Sequence, residues 1–271
     1  MIANLTNSLR TLDAQRCAAL VVLIGGALNG LAVRMIEAHA SGGFTGSLLG
    51  VTLFEIITIS VAASLVWGGQ TRDRQARPGA AELIAATALL VPSSALSWGV
   101  VAAYAGHLAW RSDGPARLGA LLFLSLAASS IWSSVALKWL ALPLTSAEAA
   151  AVGLLLGLFK DGVVQVANVV GVPSEHSLIV MSACSTADGL PRALVGLAAV
   201  LVLADRDLAR WFVPSAIVFA LIYVTANLLR LTLMAWSWDL YTVGHGPLGA
   251  GLFDAATTAA VFAVVLGGER R

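Results

Sequence analysis

Eight apolar runs constrain this chain more than any other feature. They lie near residues 17–34, 46–67, 82–106, 117–139, 145–159, 190–204, 212–234 and 247–267. A helix needs roughly 17 to 25 apolar residues to cross about 30 Å of hydrocarbon, and most of these runs reach that length. Because 58% of the 271 residues are hydrophobic and only 11% are charged, no soluble core could bury so much apolar surface. The expected fold is all-α, a polytopic membrane helical bundle of about eight transmembrane helices forming a single domain over residues 1–271. The fifth and sixth runs are short, and are expected to be tilted or shielded inside the bundle. The lipid bilayer is therefore the first partner. A net charge of +1 gives no basic field, so no nucleic-acid partner is expected.

Arg10 and Arg16 precede the first run, and Ala38-His-Ala40 follows it, as in a cleaved signal peptide. The run is longer than a signal peptide's apolar region and the small residues lie well past its end, so a retained first helix is expected. Lys and Arg then set the orientation. With the N-terminus inside, Arg10, Arg16, Arg72, Arg74, Arg77, Lys138, Arg206, Arg210, Arg270 and Arg271 face the cytoplasm. Arg34, Arg111, Arg117, Lys160, Arg192 and Arg230 face outward, a bias of ten against six. This places the 160–190 segment outside, along with the end of the seventh helix and the loop before the eighth. Trp211, Trp236 and Trp238 fit interfacial anchors at the two ends of the seventh helix.

Three chemically costly residues gather on that outer side. Cys184 lies in Met181-Ser-Ala-Cys184-Ser-Thr-Ala-Asp-Gly189, a turn-rich stretch leading into the sixth helix. A thiol near a helix N-terminus and cations has its thiolate stabilised, although a lone cysteine is more often buried and inert. Arg230 falls late in an apolar helix, where a charge costs about 2.5–3.5 kcal/mol on insertion scales and marks function by default. Asn227 and Tyr223 lie on the same helical face, so the stripe Tyr223, Asn227, Arg230 predicts a lined cavity rather than a snorkelling cation. His245, in Gly244-His-Gly-Pro247, is expected in a mobile loop, where an imidazole beside a thiol is a natural general base and acid. Asp254 in the eighth helix is placed to orient His245 or to pair with Arg230. Cys17 is expected at the opposite face from Cys184, too far for a disulfide. His39, His107 and His176 are scattered singly. Nothing in the spacing argues for a metal, and no cofactor is expected.

The order Ala-Cys184-Ser, Asn227-x-x-Arg230-Leu, then His245 before the last helix resembles the exosortase/archaeosortase family. Asn168-Val-Val-Gly-Val-Pro173 upstream of Val180-Met-Ser-Ala-Cys184 fits the same pattern. The resemblance covers roughly residues 120–267. It implies a multi-pass membrane cysteine protease or transpeptidase in a bacterial inner membrane, with its site on the outer face. The implied substrate is a membrane-anchored protein with a C-terminal sorting signal, and the implied acceptor is water or an amine on a lipid or glycan carrier. Cys184 would be the nucleophile, Arg230 the catalytic arginine and His245 the catalytic histidine. Family members commonly carry Cys-Ser-Gly where this chain has Cys184-Ser185-Thr186, and threonine is damaging there only if the backbone needs a glycine conformation.

Two other functions remain open from the sequence. Glu55, an acid within the second run, would suit a transporter or channel, although no paired broken helices appear in two halves of the chain. A non-catalytic family member acting in surface-protein assembly is the other.

Overall fold

The computed structural model describes residues 2–40, 51–69 and 79–267, with side chains described from Arg16 onward apart from residues 38–40 and 136. The chain is an all-α helical bundle with one small sheet. By its internal packing it divides into two compact units. Six helical segments among the described residues are long and apolar enough to cross a membrane: Arg16–Glu37, Gly114–Val135, Leu137–Gly157, Thr186–Leu203, Leu208–Trp236 and Pro247–Gly267. Of the charges used to orient the chain, Arg72, Arg74, Arg77, Arg270 and Arg271 lie outside the described residues, as do the side chains of Arg10 and His39.

The first unit holds α1 (Ile2–Ala40), α2 (Leu53–Gly68) from Glu55 on, α3 (Ala80–Ala88), α4 (Ser94–Arg111) and α5 (Gly114–Ile131). The run expected as one helix over 82–106 is broken into α3 and α4. Proline cannot continue a helix and disfavours helical backbone in the residue before it, so Val91-Pro92 ends the first piece. Ser93 then caps the second, its hydroxyl accepting from the Leu96 N–H at 3.3 Å. Helix α2, at 16 residues, is about 24 Å long by its rise, short of the hydrocarbon core. Where lipid replaces water, small residues and polar links hold helices together better than apolar burial does. Accordingly, Asn29 Nδ2 donates to Ser97 Oγ and to the Leu89 carbonyl at 2.9 and 3.0 Å. The Ser94 hydroxyl donates to the Gly30 carbonyl at 3.1 Å.

The second unit takes the Leu53–Phe54 start of α2 and everything described from Trp132. No loop interrupts the chain near Lys138, where the sequence predicts one. The helix continues through a π-helical turn at Trp132–Ala136 into α6 (Leu137–Gly157), which tolerates Pro143 in its second turn. The widened turn aims its side chains at the next span. Trp132 Nε1 donates to the Ala187 carbonyl at 2.9 Å, and Ser133 Oγ accepts from Arg192 at 2.9 Å. A 3-10 turn (Ser182–Cys184) leads into α7 (Thr186–Leu203). Then follow α8 (Leu208–Trp236), the short α9 (Trp238–His245) and α10 (Pro247–Gly267). Asp205 adopts a left-handed conformation (φ 53°) and the Arg206 N–H closes back on the Leu201 carbonyl at 2.9 Å, ending α7. Asp207 then caps α8 through the Ala209 N–H.

Between α6 and α7 the chain forms an antiparallel meander that the sequence reading left unassigned: β1 (Val164–Val166), β2 (Val169–Val172) and β3 (His176–Ile179), in that order. Val166 faces Val169 across a two-residue turn in which Ala167 is left-handed (φ 51°). Gly171 cannot be replaced cheaply, because its φ is +153° and a Cβ there would sit 2.3 Å from the His176 carbonyl oxygen. Val170, Leu178 and Val180 are buried. They join Ala149, Val152 and Leu156 of α6 and Leu231, Met234 and Ala235 of α8 in one cluster, with Cys184 and Tyr241 packed on its edge. The sheet thus caps the end of the unit where α6 and α8 finish and α7 begins. Lys160 fastens that end, donating to the Trp236 carbonyl at 2.9 Å, lying 5.3 Å over the Trp236 ring and pairing with Glu175.

Candidate functional site

Cys184 closes the 3-10 turn, and Ser185 is the N-cap of α7, its hydroxyl accepting from the Ala187 N–H at 3.1 Å. Thr186 is the first residue of α7 and has ordinary right-handed helical backbone; among the described non-glycine residues only Ala167 and Asp205 have positive φ. The departure from Cys-Ser-Gly is therefore conformationally harmless. Two side chains fix the turn from opposite sides. Asn227, buried in α8, donates through Nδ2 to the Cys184 carbonyl at 3.0 Å and to Thr186 Oγ1 at 3.1 Å. Glu148, in α6, accepts from the Thr186 N–H at 2.7 Å.

Each backbone N–H from Cys184 to Gly189 already has an acceptor. The Cys184 N–H bonds the Met181 carbonyl at 2.9 Å and that of Ser185 bonds the Ser182 carbonyl at 3.0 Å. Asp188 and Gly189 bond the Ser185 carbonyl at 3.1 and 3.4 Å. Thr186 and Ala187 are taken by Glu148 and Ser185. The helix N-terminus that the sequence offers as a thiolate cradle is thus fully engaged. Burial pushes the Cys184 thiol up; Arg230 opposes this, while Asp188 and Glu148 add to it. Burial, the largest of these influences, favours the neutral thiol over a preformed thiolate. Its alkylation by a small neutral reagent should keep rising with pH through and beyond the ordinary thiol value of about 8.5, with no plateau near neutrality; a rate profile by mass spectrometry checks this.

Arg230 lies about 9 Å of helical rise from the end of α8. It donates from Nε and Nη2 to the Gly244 carbonyl at 3.3 and 3.0 Å, and its guanidinium stands 5.1 Å over the Phe253 ring. The carbonyl it holds belongs to the residue before His245. His245 is the last residue of α9 rather than part of a mobile loop. Ser237 caps that helix through the Leu240 N–H and Asp239 occupies its first turn. The Tyr241 ring meets His245 edge-on at 5.1 Å. Tyr241 in turn stacks on Trp238 at 5.3 Å and touches His176 at 5.7 Å. His176 has a structural role, with Nε2 3.1 Å from the Met234 carbonyl.

One face of α8 therefore carries the link between the three residues: Asn227 holds Cys184, and Arg230 bears on the thiol and holds the backbone beside His245. Tyr223, one turn below, packs between Phe219 and Phe253 at 5.9 and 5.5 Å. Its hydroxyl occupies the space a Cβ would take at Gly189, only 2.0 Å away. Gly189→Ala should therefore push the first turn of α7 off α8. We expect a loss of about 1–3 kcal/mol by overpacking, read as a lower melting temperature in detergent together with reduced activity. Asp254 Oδ2 accepts from the Leu53 N–H at 3.1 Å, a helix-to-helix tie that the sequence does not anticipate.

Comparison of the chain with protein-family models, with curated proteins and with solved structures returns no match.

Glu55 and Glu148 show how differently two acids inside apolar helices can be used. Glu55 is fully buried and bound by Arg34, whose Nη2 lies 2.9 and 3.1 Å from its two carboxylate oxygens. Its charge is matched within the first unit. Glu148, which the sequence reading does not single out, instead holds the Thr186 N–H, two residues from Cys184. As the one acid in the α6 sequence, it was open to the same argument that singles out Glu55. Asp188 and Arg192, an ion pair one turn into α7, were also missed.

Proposed function

We propose that the protein is a membrane cysteine endopeptidase or transpeptidase of the exosortase/archaeosortase type, with Cys184 as nucleophile, Arg230 as oxyanion-binding cation and His245 as general base and acid. The observation that carries this is the arrangement on α8, where consecutive turns hold the turn of Cys184 and the backbone beside His245. Because the thiol is neutral at rest, its proton leaves as it attacks. His245 accepts that proton while Sγ bonds the scissile carbonyl carbon. The carbonyl oxygen becomes an oxyanion. With the neighbouring backbone N–H groups occupied, the remaining guanidinium N–H groups of Arg230 receive it in a low-dielectric site. Collapse breaks the C–N bond, the imidazolium returns its proton to the leaving amine, and a thioester remains on Cys184. Water then releases an acid, or an amine on a lipid or glycan carrier takes the acyl group. No cofactor enters these steps.

The substrate class follows from the setting. A membrane-anchored protein presents its cleavage motif at a fixed depth. The capped end of the second unit, with Trp236 and Trp238 at the end of α8, suits a motif just outside the hydrocarbon. We place this end on the outer face of a bacterial inner membrane, where C-terminal sorting signals of exported proteins are processed. Co-expression with a tagged substrate candidate encoded near the gene tests the reading. Wild type should shorten the substrate on a gel, and Cys184→Ala should leave it full length. Equal shortening by both would reject Cys184 as nucleophile.

A further inference from the structure

Glu148 stands outside the cysteine, arginine and histidine that the proposed reaction requires, yet it touches the nucleophile's own turn. Oε1 accepts from the Thr186 N–H at 2.7 Å, and the Ser185 hydroxyl lies beside the carboxyl. Oε2 is buried with no hydrogen-bond partner among the described residues. An unmatched polar atom of this kind calls for an explanation. As a purely structural helix cap, Glu148 would be wasteful, since Ser185 already caps α7 and a threonine or asparagine would accept one N–H without burying a charge.

We propose that Glu148 is a positioning residue for Cys184: its carboxyl clamps the first turn of α7 behind the nucleophile and keeps an acidic group near the resting thiol. The proposal rests on the reading of Cys184 as nucleophile. Two charged groups besides Glu148 bear on the thiol: Arg230 from α8, and Asp188 from α7, itself paired with Arg192. Arg230 favours the thiolate; Asp188 and Glu148 oppose it. Asp188, the larger of the two, is paired with Arg192 inside α7, whereas Glu148 acts from α6 and also holds the turn itself. Its consequence is a nucleophile held protonated, and so protected from stray alkylation and oxidation, until substrate and His245 act together.

The test needs no substrate. In a Cys17→Ser background, which leaves Cys184 as the single thiol, the pH profile of iodoacetamide labelling is measured alongside hydrogen exchange of the 182–190 segment. Glu148→Gln keeps an oxygen for the Thr186 N–H and removes the charge. Its labelling midpoint should fall, with labelling near neutrality about threefold faster or more, and with exchange unchanged. Glu148→Asp keeps the charge but draws it back from Thr186. Exchange should rise while the midpoint stays close to wild type. A Glu148→Gln profile superimposed on wild type would overturn the charge role, and unchanged exchange in Glu148→Asp would overturn the clamp. Should Glu148→Gln fail to accumulate, Glu148→Ala supplies the midpoint comparison. Because both readouts are independent of cleavage, they stay decisive even if the peptidase reading itself fails.

Discussion

Arg230→Lys is expected to slow substrate cleavage by about 10²- to 10³-fold, the usual loss for removing an oxyanion donor, while the protein still inserts and folds. In the proposed reaction the guanidinium does two things at once. Its Nε and Nη2 hold the Gly244 carbonyl at 3.3 and 3.0 Å, and its other N–H groups remain for the oxyanion. An ammonium is a point charge without that planar fork, so it can serve one partner or the other. Backbone donors cannot compensate, because those from Cys184 to Gly189 already have acceptors. Arg230→Ala should be worse still, since the backbone before His245 also loses its anchor. The measurement is single-turnover cleavage in detergent or vesicles, with the melting temperature as a control for folding. A Lys variant as fast as wild type would remove Arg230 from the chemistry.

Asn227→Ala should have the next largest effect, for a positional reason. The amide of Asn227 is buried and ties the Cys184 carbonyl and Thr186 Oγ1 to α8. Its removal strands the part-buried Cys184 carbonyl and frees the turn of Cys184 on that side. A misplacement of about 1 Å at a reacting group can cost on the order of 10²-fold in rate, and the unsatisfied carbonyl about 1–3 kcal/mol in stability. Asn227→Asp should also fail: it offers acceptors where two acceptors must be met. Cleavage rates and melting temperatures of both variants check this, and the thiol should remain labelled by alkylating reagents because it stays in place chemically. If Asn227→Ala cleaves normally, Cys184 does not depend on α8 for its position.

The residues of the candidate site stand out in the sequence because each is expensive where it stands. Cys184, Arg230 and Asn227 interrupt apolar or turn-rich sequence, and helical spacing puts Tyr223, Asn227 and Arg230 on one face. Their surroundings were harder to read. Strands β1 to β3 are three or four residues long; β1 is exposed, and β2 and β3 are buried where Val170 and Leu178 pack with α6 and α8, which periodicity within so short a stretch cannot reveal. For His245, Gly-His-Gly-Pro suggested a loop. The signals for α9 lay upstream, in Ser237 as N-cap and Asp239 in the first turn, and they outweigh one glycine near a helix end. Composition likewise made 82–106 a single run, although Pro92 followed by Ser93 is a local stop and restart. The thiol's environment reversed an expectation: the nearby helix N-terminus was to favour the thiolate, but a helix end stabilises an anion only with free N–H groups, and Glu148 and Ser185 occupy them.

The central claim is a covalent intermediate on Cys184. Incubating wild-type protein with a substrate it cleaves, quenching in acid and digesting for mass spectrometry tests it most directly. The account predicts the acyl portion of the substrate on the peptide containing Cys184, released by hydroxylamine as a thioester should be and absent from Cys184→Ala. Cleavage that proceeds with no such adduct, and at the same rate in Cys184→Ala, would contradict it.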